Sequence, residues 1–125
     1  MNKIYAVGDI HGCYDKLMDL MEKVDIDFES DTLVFLGDYI DRGPQSFEVV
    51  EYLADLKLKH TNTVFLKGNH EEMLEKYLSG DDRLTYLVNG GQQTLESYMN
   101  RPRKEGEPPI PRKHLDFYSS LRIFY

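Results

Sequence analysis

With 125 residues, 41% of them hydrophobic and 30% charged, the chain is long enough for one domain with a real core and has the composition of an ordinary globular protein. A net charge of −7 argues against a nucleic-acid surface, which needs a basic face, and no apolar run reaches the roughly 18 residues of a membrane span. The single cysteine, Cys13, excludes an intrachain disulfide; with Met1 leading almost directly into a strand and no basic-then-apolar leader, a cytoplasmic setting is expected.

Ile4 to Val7 reads as a short buried strand, and Gly8-Asp9-Ile10-His11-Gly12 follows as a turn. Residues two apart in extended backbone share a side, so Asp9 and His11 are expected to face the same way. Leu17, Leu20, Met21 and Val24 recur at helical spacing and predict a helix with that stripe in the core. Cys13 is expected to be a semi-buried free thiol, since no histidine is placed to pair with it. The acidic stretch Asp25 to Asp31 predicts a solvated surface loop.

Leu33 to Leu36 is the second predicted strand, and Gly37-Asp38-Tyr39-Ile40-Asp41-Arg42-Gly43 is its turn. The helix beyond it presents Phe47, Val50, Leu53, Ala54 and Leu56 inward, and His60 lies in a polar turn. Val64 to Leu66 is the third strand, followed by Gly68-Asn69-His70-Glu71. Glu71 and Glu72 open a helix whose dipole they offset, and Met73, Leu74, Tyr77 and Leu78 pack it.

Asn89-Gly90-Gly91 breaks the next segment, and the helix after it carries Thr94, Leu95 and Tyr98. Arg101 to Pro111 holds four of the five prolines and predicts an exposed loop with a solvated basic cluster of Arg101, Arg103 and Lys104. From Arg112 to Leu121 a short amphipathic helix is expected to present Leu115, Tyr118 and Leu121, with His114 structural or at the surface. Arg122-Ile123-Phe124-Tyr125 looks like the start of another strand.

Strand, polar turn and helix thus occur three times, with Gly8, Gly37 and Gly68 spaced 29 and 31 residues apart, about one β-α-β unit. The predicted fold is α/β with a parallel sheet, and right-handed crossovers bring all three turns to one sheet edge. Gathered there would be Asp9, His11, Asp38, Asp41, Arg42, Asn69 and His70. Oxygen and imidazole donors suit divalent manganese, iron or zinc. A bridging Asp38 would hold two such ions ~3.5–4 Å apart, the arrangement used in phosphate ester hydrolysis.

The three turns read GDIHG, GDYIDRG and GNHE, and on these motifs the chain resembles the calcineurin-like metallophosphoesterases, within them the phosphoprotein phosphatase branch, over residues 3 to about 99. The resemblance implies the first half of an α/β/β/α sandwich, so that residues 1–125 form a single domain truncated at its C-terminal side. It implies two divalent ions, manganese first and iron, zinc, nickel or cobalt as alternatives. Asp9, His11 and Asp38 would hold one ion; Asp38 and Asn69 would share the second with two histidines from later strands. His60 and His114 do not lie in the strand-end contexts those histidines need.

By the same resemblance Arg42 would clamp phosphate and His70 would protonate the leaving oxygen, with Asp41 orienting its imidazole. Lys67 departs from the family pattern, in which an arginine precedes GNHE, and lacks the bidentate fork. The implied activity is hydrolysis of phosphate monoesters on serine or threonine phosphoproteins. Alternatives are a symmetrical dinucleoside polyphosphate hydrolase, since the Asn89-Gly90-Gly91 to Tyr98 run resembles bacterial diadenosine tetraphosphatases, or a catalytically incomplete metal- and phosphate-binding fragment. The partner is then a phosphorylated protein or a nucleotide, with no nucleic acid or membrane, and an open sheet edge could pair with a second copy.

Overall fold

The computed structural model describes residues 2–123. In it strands and helices alternate as β1 (Ile4–Val7), α1 (Tyr14–Lys23), β2 (Thr32–Phe35), α2 (Ser46–Lys59), β3 (Thr63–Phe65) and α3 (Asn69–Leu78). A short helix α4 (Arg83–Tyr86), a kinked stretch Leu87–Gly91, α5 (Gln92–Asn100) and α6 (Arg112–Ser119) complete the order. The sheet is parallel in the order β1-β2-β3, with Val34 opposite both Ala6 and Val64. Each predicted strand is present to within a residue.

A further parallel bridge joins Leu66 to Arg122: the Arg122 N–H donates to Phe65 O at 3.0 Å and Arg122 O accepts from the Lys67 N–H at 2.7 Å. This is where another strand was expected to begin; Phe124 and Tyr125 of that expectation lie outside the described residues. Right-handed crossovers put α1 and α2 on one face of the sheet. On that face Leu33, Phe35 and Phe65 pack with Val49, Val50 and Leu53 of α2 and Phe117 of α6. Phe35 and Phe65 stack at 5.0 Å, and Phe117 meets Phe65 edge-on at 5.3 Å.

Tyr39 and Ile40, in the second turn, are fully buried in the same core. Burying side chains of this size stabilises by about 1.5–3 kcal/mol each. The Tyr39 hydroxyl also donates to Leu66 O at 2.6 Å. The turn is therefore anchored from below by the core, which leaves its polar residues fixed at the sheet edge. On the opposite face Ile4 and Leu36 remain 69% and 48% exposed.

Several sequence expectations change in three dimensions. Leu17 of α1 is buried but Leu20 is 40% exposed, so the buried stripe of that helix is narrower than its periodicity suggests. In α6 the buried residues are His114 and Phe117 rather than Leu115, because the helix docks through an aromatic cluster beneath Tyr39. Asp31 is buried, not solvated: its carboxylate accepts the N–H groups of Lys3 at 2.9 Å and Asp27 at 3.0 Å, and these bonds hold it below the usual carboxylate range. Arg101 lies over the Phe47 ring and donates to Pro109 O, which pins the proline-rich loop instead of leaving it free. Among the described residues no helix is long and apolar enough to cross a membrane.

Candidate active site

The first and second turns are laced together by backbone. The N–H groups of Ile10 and His11 both donate to Asp38 O, at 3.1 and 3.0 Å, and Gly43 N–H donates to His11 O at 3.0 Å. The third turn closes on the second through Gly68, where a Cβ would collide with the backbone and carboxylate of Asp38. Only a glycine lets the chain approach so closely. The His70 N–H then donates to Asp38 Oδ1 at 3.0 Å. Asp38 is thereby held by residues of all three turns.

Glu71 makes the closure rigid, a role its place in a helix start did not disclose. The residue is 3% exposed, and its carboxylate accepts three backbone N–H groups: Asp38 at 2.7 Å, Tyr39 at 2.9 Å and Gly68 at 2.9 Å. Burial pushes this carboxyl above its ordinary range, and the three N–H donors pull the other way. The Gly68 bond is one half of a capping box, so the GNHE spacing did contain that signal. The reach to Asp38 and Tyr39 is tertiary and had none.

At this edge Asp9, His11 and Asp38 bring one ligand atom each within 4.8 Å of the others. His11 Nε2 lies 3.7 Å from Asp9 Oδ2. Its Nδ1 is 2.9 Å from Ile40 O, an acceptor only, so Nδ1 carries the proton and Nε2 presents its lone pair among the carboxylates. This backbone-fixed tautomer is what a metal-ligating imidazole requires. The donor set therefore fits a divalent cation of the manganese-to-zinc kind. Asn69 opens α3 between Gly68 and His70 and is exposed.

His70 stands edge-on to His11, ring centroids 4.7 Å apart. Its Nδ1 is 2.8 Å from Asp41 Oδ2, and since a carboxylate only accepts, Nδ1–H is the donor. Every buried side-chain nitrogen and oxygen among the described residues has a hydrogen-bond partner. His70 Nε2 has no hydrogen-bond partner among the described residues, so it reaches the surface beside His11. Arg42 is exposed on the same turn. His11, Asp38, Asp41 and Arg42 all have left-handed backbone, with φ of 45°, 57°, 76° and 71°. Non-glycine residues in that region are strained by about 1–3 kcal/mol each, and such strain clusters at functional sites.

The remaining candidates lie elsewhere. His60 stacks on Phe28 at 4.0 Å, and His114 is fully buried against Glu51 and Tyr98. Lys67 pairs with Glu75 of α3. Cys13 is a half-buried free thiol whose Sγ–H donates to His11 O.

A parallel α/β edge thus carries two carboxylates and an imidazole around one point, a group able to hold a metal ion, with a second histidine alongside. The chain belongs to the calcineurin-like phosphoesterase family, which it matches over residues 2–120. It is 31% identical over 130 residues to the asymmetrical bis(5'-nucleosyl)-tetraphosphatase PrpE of Geobacillus sp. (strain WCH70), a match covering 98% of this chain and 51% of the relative. It is 39% identical over 95 residues to the symmetrical bis(5'-nucleosyl)-tetraphosphatase of Legionella pneumophila (strain Lens), covering 76% of this chain and 32% of that one.

A crystal structure of a protein provisionally called a diadenosine tetraphosphatase superposes with a TM-score of 0.62 at 30% identity, over 94% of this chain and 42% of its own. The chain spans about half the length, or less, of the curated relatives it matches.

Proposed function

We propose that the chain forms the cation-binding part of a phosphoesterase domain acting on a phosphate ester or anhydride. The observation that carries this reading is the cluster of Asp9, His11 and Asp38 beside a histidine whose Nε2 has no partner among the described residues and whose Nδ1–H is held by Asp41. Asp9, His11 and Asp38 would hold one divalent cation, and Asp38 with Asn69 would begin a second site. The chemistry a divalent cation supplies there is polarisation of a phosphoryl oxygen and activation of water. Manganese is the first ion to try, and the same donors accept iron, zinc, nickel or cobalt.

The protein's own groups do the rest. Arg42 forks onto the phosphoryl oxygens, which a planar guanidinium matches in pairs. His70, when its ring carries protons on both nitrogens, passes the Nε2 proton to the leaving oxygen and is left neutral with Nδ1–H, which Asp41 holds in place along with the ring's orientation. Of the two substrate classes open from the motifs, a dinucleoside polyphosphate is favoured over a serine or threonine phosphoprotein, because the named relatives are bis(5'-nucleosyl)-tetraphosphatases. Both classes would place a phosphoryl group at the same edge.

The test is turnover of diadenosine tetraphosphate, p-nitrophenyl phosphate and a phosphopeptide with added Mn²⁺, with and without a chelator. Chelator-sensitive release of nucleotide, faster than release of phosphate from the peptide, is expected. Faster peptide dephosphorylation would reverse the substrate assignment, and Mn²⁺ binding with no turnover of any substrate would make the chain a binding module.

A further inference from the structure

The segment from α4 through α5 supplies none of the residues assigned above, yet it grips the Asp41-Arg42 turn at several points. The Tyr86 hydroxyl donates to Asp41 Oδ1 at 2.6 Å, and the Thr94 hydroxyl donates to the same oxygen at 2.7 Å. The Asp41 N–H donates in turn to Thr94 Oγ1 at 2.8 Å and to Ser46 Oγ at 3.2 Å. Thr94 has spent its one proton on Asp41, so Ser46 donates to Thr94 across their 2.7 Å contact. Asp41, Ser46, Tyr86 and Thr94 are each 0% exposed.

This leaves the carboxylate no freedom. Oδ1 is occupied by two hydroxyls and Oδ2 faces His70 Nδ1 alone. Burial and the neighbouring Asp41 charge hold the Tyr86 phenol well above its ordinary value, so it remains a donor. One residue along, the Arg42 N–H donates to Gly90 O at 3.0 Å. Gly90 has φ of +98°, and a Cβ there would stand 2.6 Å from Arg42 Cγ and 2.9 Å from Arg42 N. The glycine break in the helix is thus shaped to the arginine it faces.

We infer that Tyr86 and Thr94 are positioning residues that aim the Asp41 carboxylate at His70, and that Gly90 holds Arg42 in its left-handed turn. The catalytic purpose of this arrangement rests on the phosphoesterase reading, but the geometry can be tested without it. The plainer alternative is that these residues only fasten α4 and α5 to the core. A fastening role depends on packing volume, whereas an aiming role depends on the hydroxyl protons.

The experiment measures the imidazole ¹⁵N shifts of His70 by long-range ¹H–¹⁵N correlation, in the whole chain without added metal and at a pH where the ring is neutral. His70→Asn identifies the signals. In the wild-type chain the Nδ1–H tautomer is expected. Thr94→Val and Tyr86→Phe, checked by circular dichroism to be folded, are expected to lose it in favour of the Nε2–H form usual in water, and Thr94→Ser is expected to keep it.

The inference is overturned if Thr94→Val and Tyr86→Phe retain the wild-type shifts, if Thr94→Ser behaves as Thr94→Val does, or if wild-type His70 is not in the Nδ1–H form. Should Thr94→Val fail to fold, Tyr86→Phe decides alone. Turnover measured on the same samples reports on the phosphoesterase reading separately, since the tautomer exists whether or not a substrate is cleaved.

Discussion

His70 and His114 each meet a carboxylate, and they use it differently. His114 Nε2 faces Glu51 Oε1 at 2.8 Å and its Nδ1 faces the Tyr98 hydroxyl at 2.7 Å, which sits 2.8 Å from the Tyr118 hydroxyl. Both ring nitrogens are therefore engaged, the ring stacks on Phe47 at 4.8 Å, and all its partners come from the regular helices α2, α5 and α6. At His70 the only hydrogen-bond partner of the ring among the described residues is Asp41 Oδ2, at Nδ1, while the hydroxyls of Tyr86 and Thr94 bond that acid's other oxygen and Nε2 is left over. The surrounding backbone is strained at four non-glycine positions, where the His114 cluster has none. A satisfied histidine in unstrained helices fastens elements together; one with a spare nitrogen on strained turns is available for chemistry.

The sharpest way to break this contrast is to remove each histidine in turn. His70→Asn is expected to lower kcat by ~10²–10⁴, the usual worth of proton transfer, while Mn²⁺ binding survives. His114→Asn is expected to affect kcat far less. Equal losses in kcat would show that the contrast has no functional content.

A smaller effect is expected at Glu71, measured by thermal or denaturant unfolding. In Glu71→Gln one oxygen can still accept from Asp38 and Gly68, whose N–H groups both point at Oε1, but the new amide would face the Tyr39 N–H as donor against donor. An unpaired buried N–H costs about 1–3 kcal/mol. No loss of stability would mean that the third turn is held without the carboxylate.

The smallest effect is a pH dependence confined to His114. Burial holds its imidazole below the ordinary value, a shift that its hydrogen bond to Glu51 opposes. The unfolded chain takes up that proton near ~6.5 while the folded chain resists it. Stability is thus complete above that pH and declines as pH falls through it. Wild-type protein is expected to lose more melting temperature between neutral and mildly acidic pH than His114→Gln does. Parallel losses would remove His114 as the source.

The three strand-turn-helix units were legible because each apolar run ends in glycine followed by ligand-type residues, a pattern that fixes both the turn and what it presents. The gathering of Asp9, His11 and Asp38 followed from that topology, whereas the pairing of His70 with Asp41 was implied by the resemblance to the phosphoesterases. What the sequence withheld depends on contacts between distant segments. Nothing local distinguishes Thr94 and Tyr86 from ordinary helix residues, because their hydroxyls matter only where Asp41 arrives from 53 and 45 residues away. Leu20 and Leu115 were misread because periodicity gives a helix an apolar stripe without saying how much of it a neighbour covers.

On the proposed reading three separate turns build one seat for a divalent cation, with Asp38 at its centre. Titration of Mn²⁺ into the chain, followed by the electron paramagnetic resonance of the free ion, tests this most directly. Wild-type protein and His114→Gln should remove the free-ion signal alike, and Asp38→Asn should leave it. Uptake by Asp38→Asn equal to that of wild-type protein, or none by either, would contradict the account.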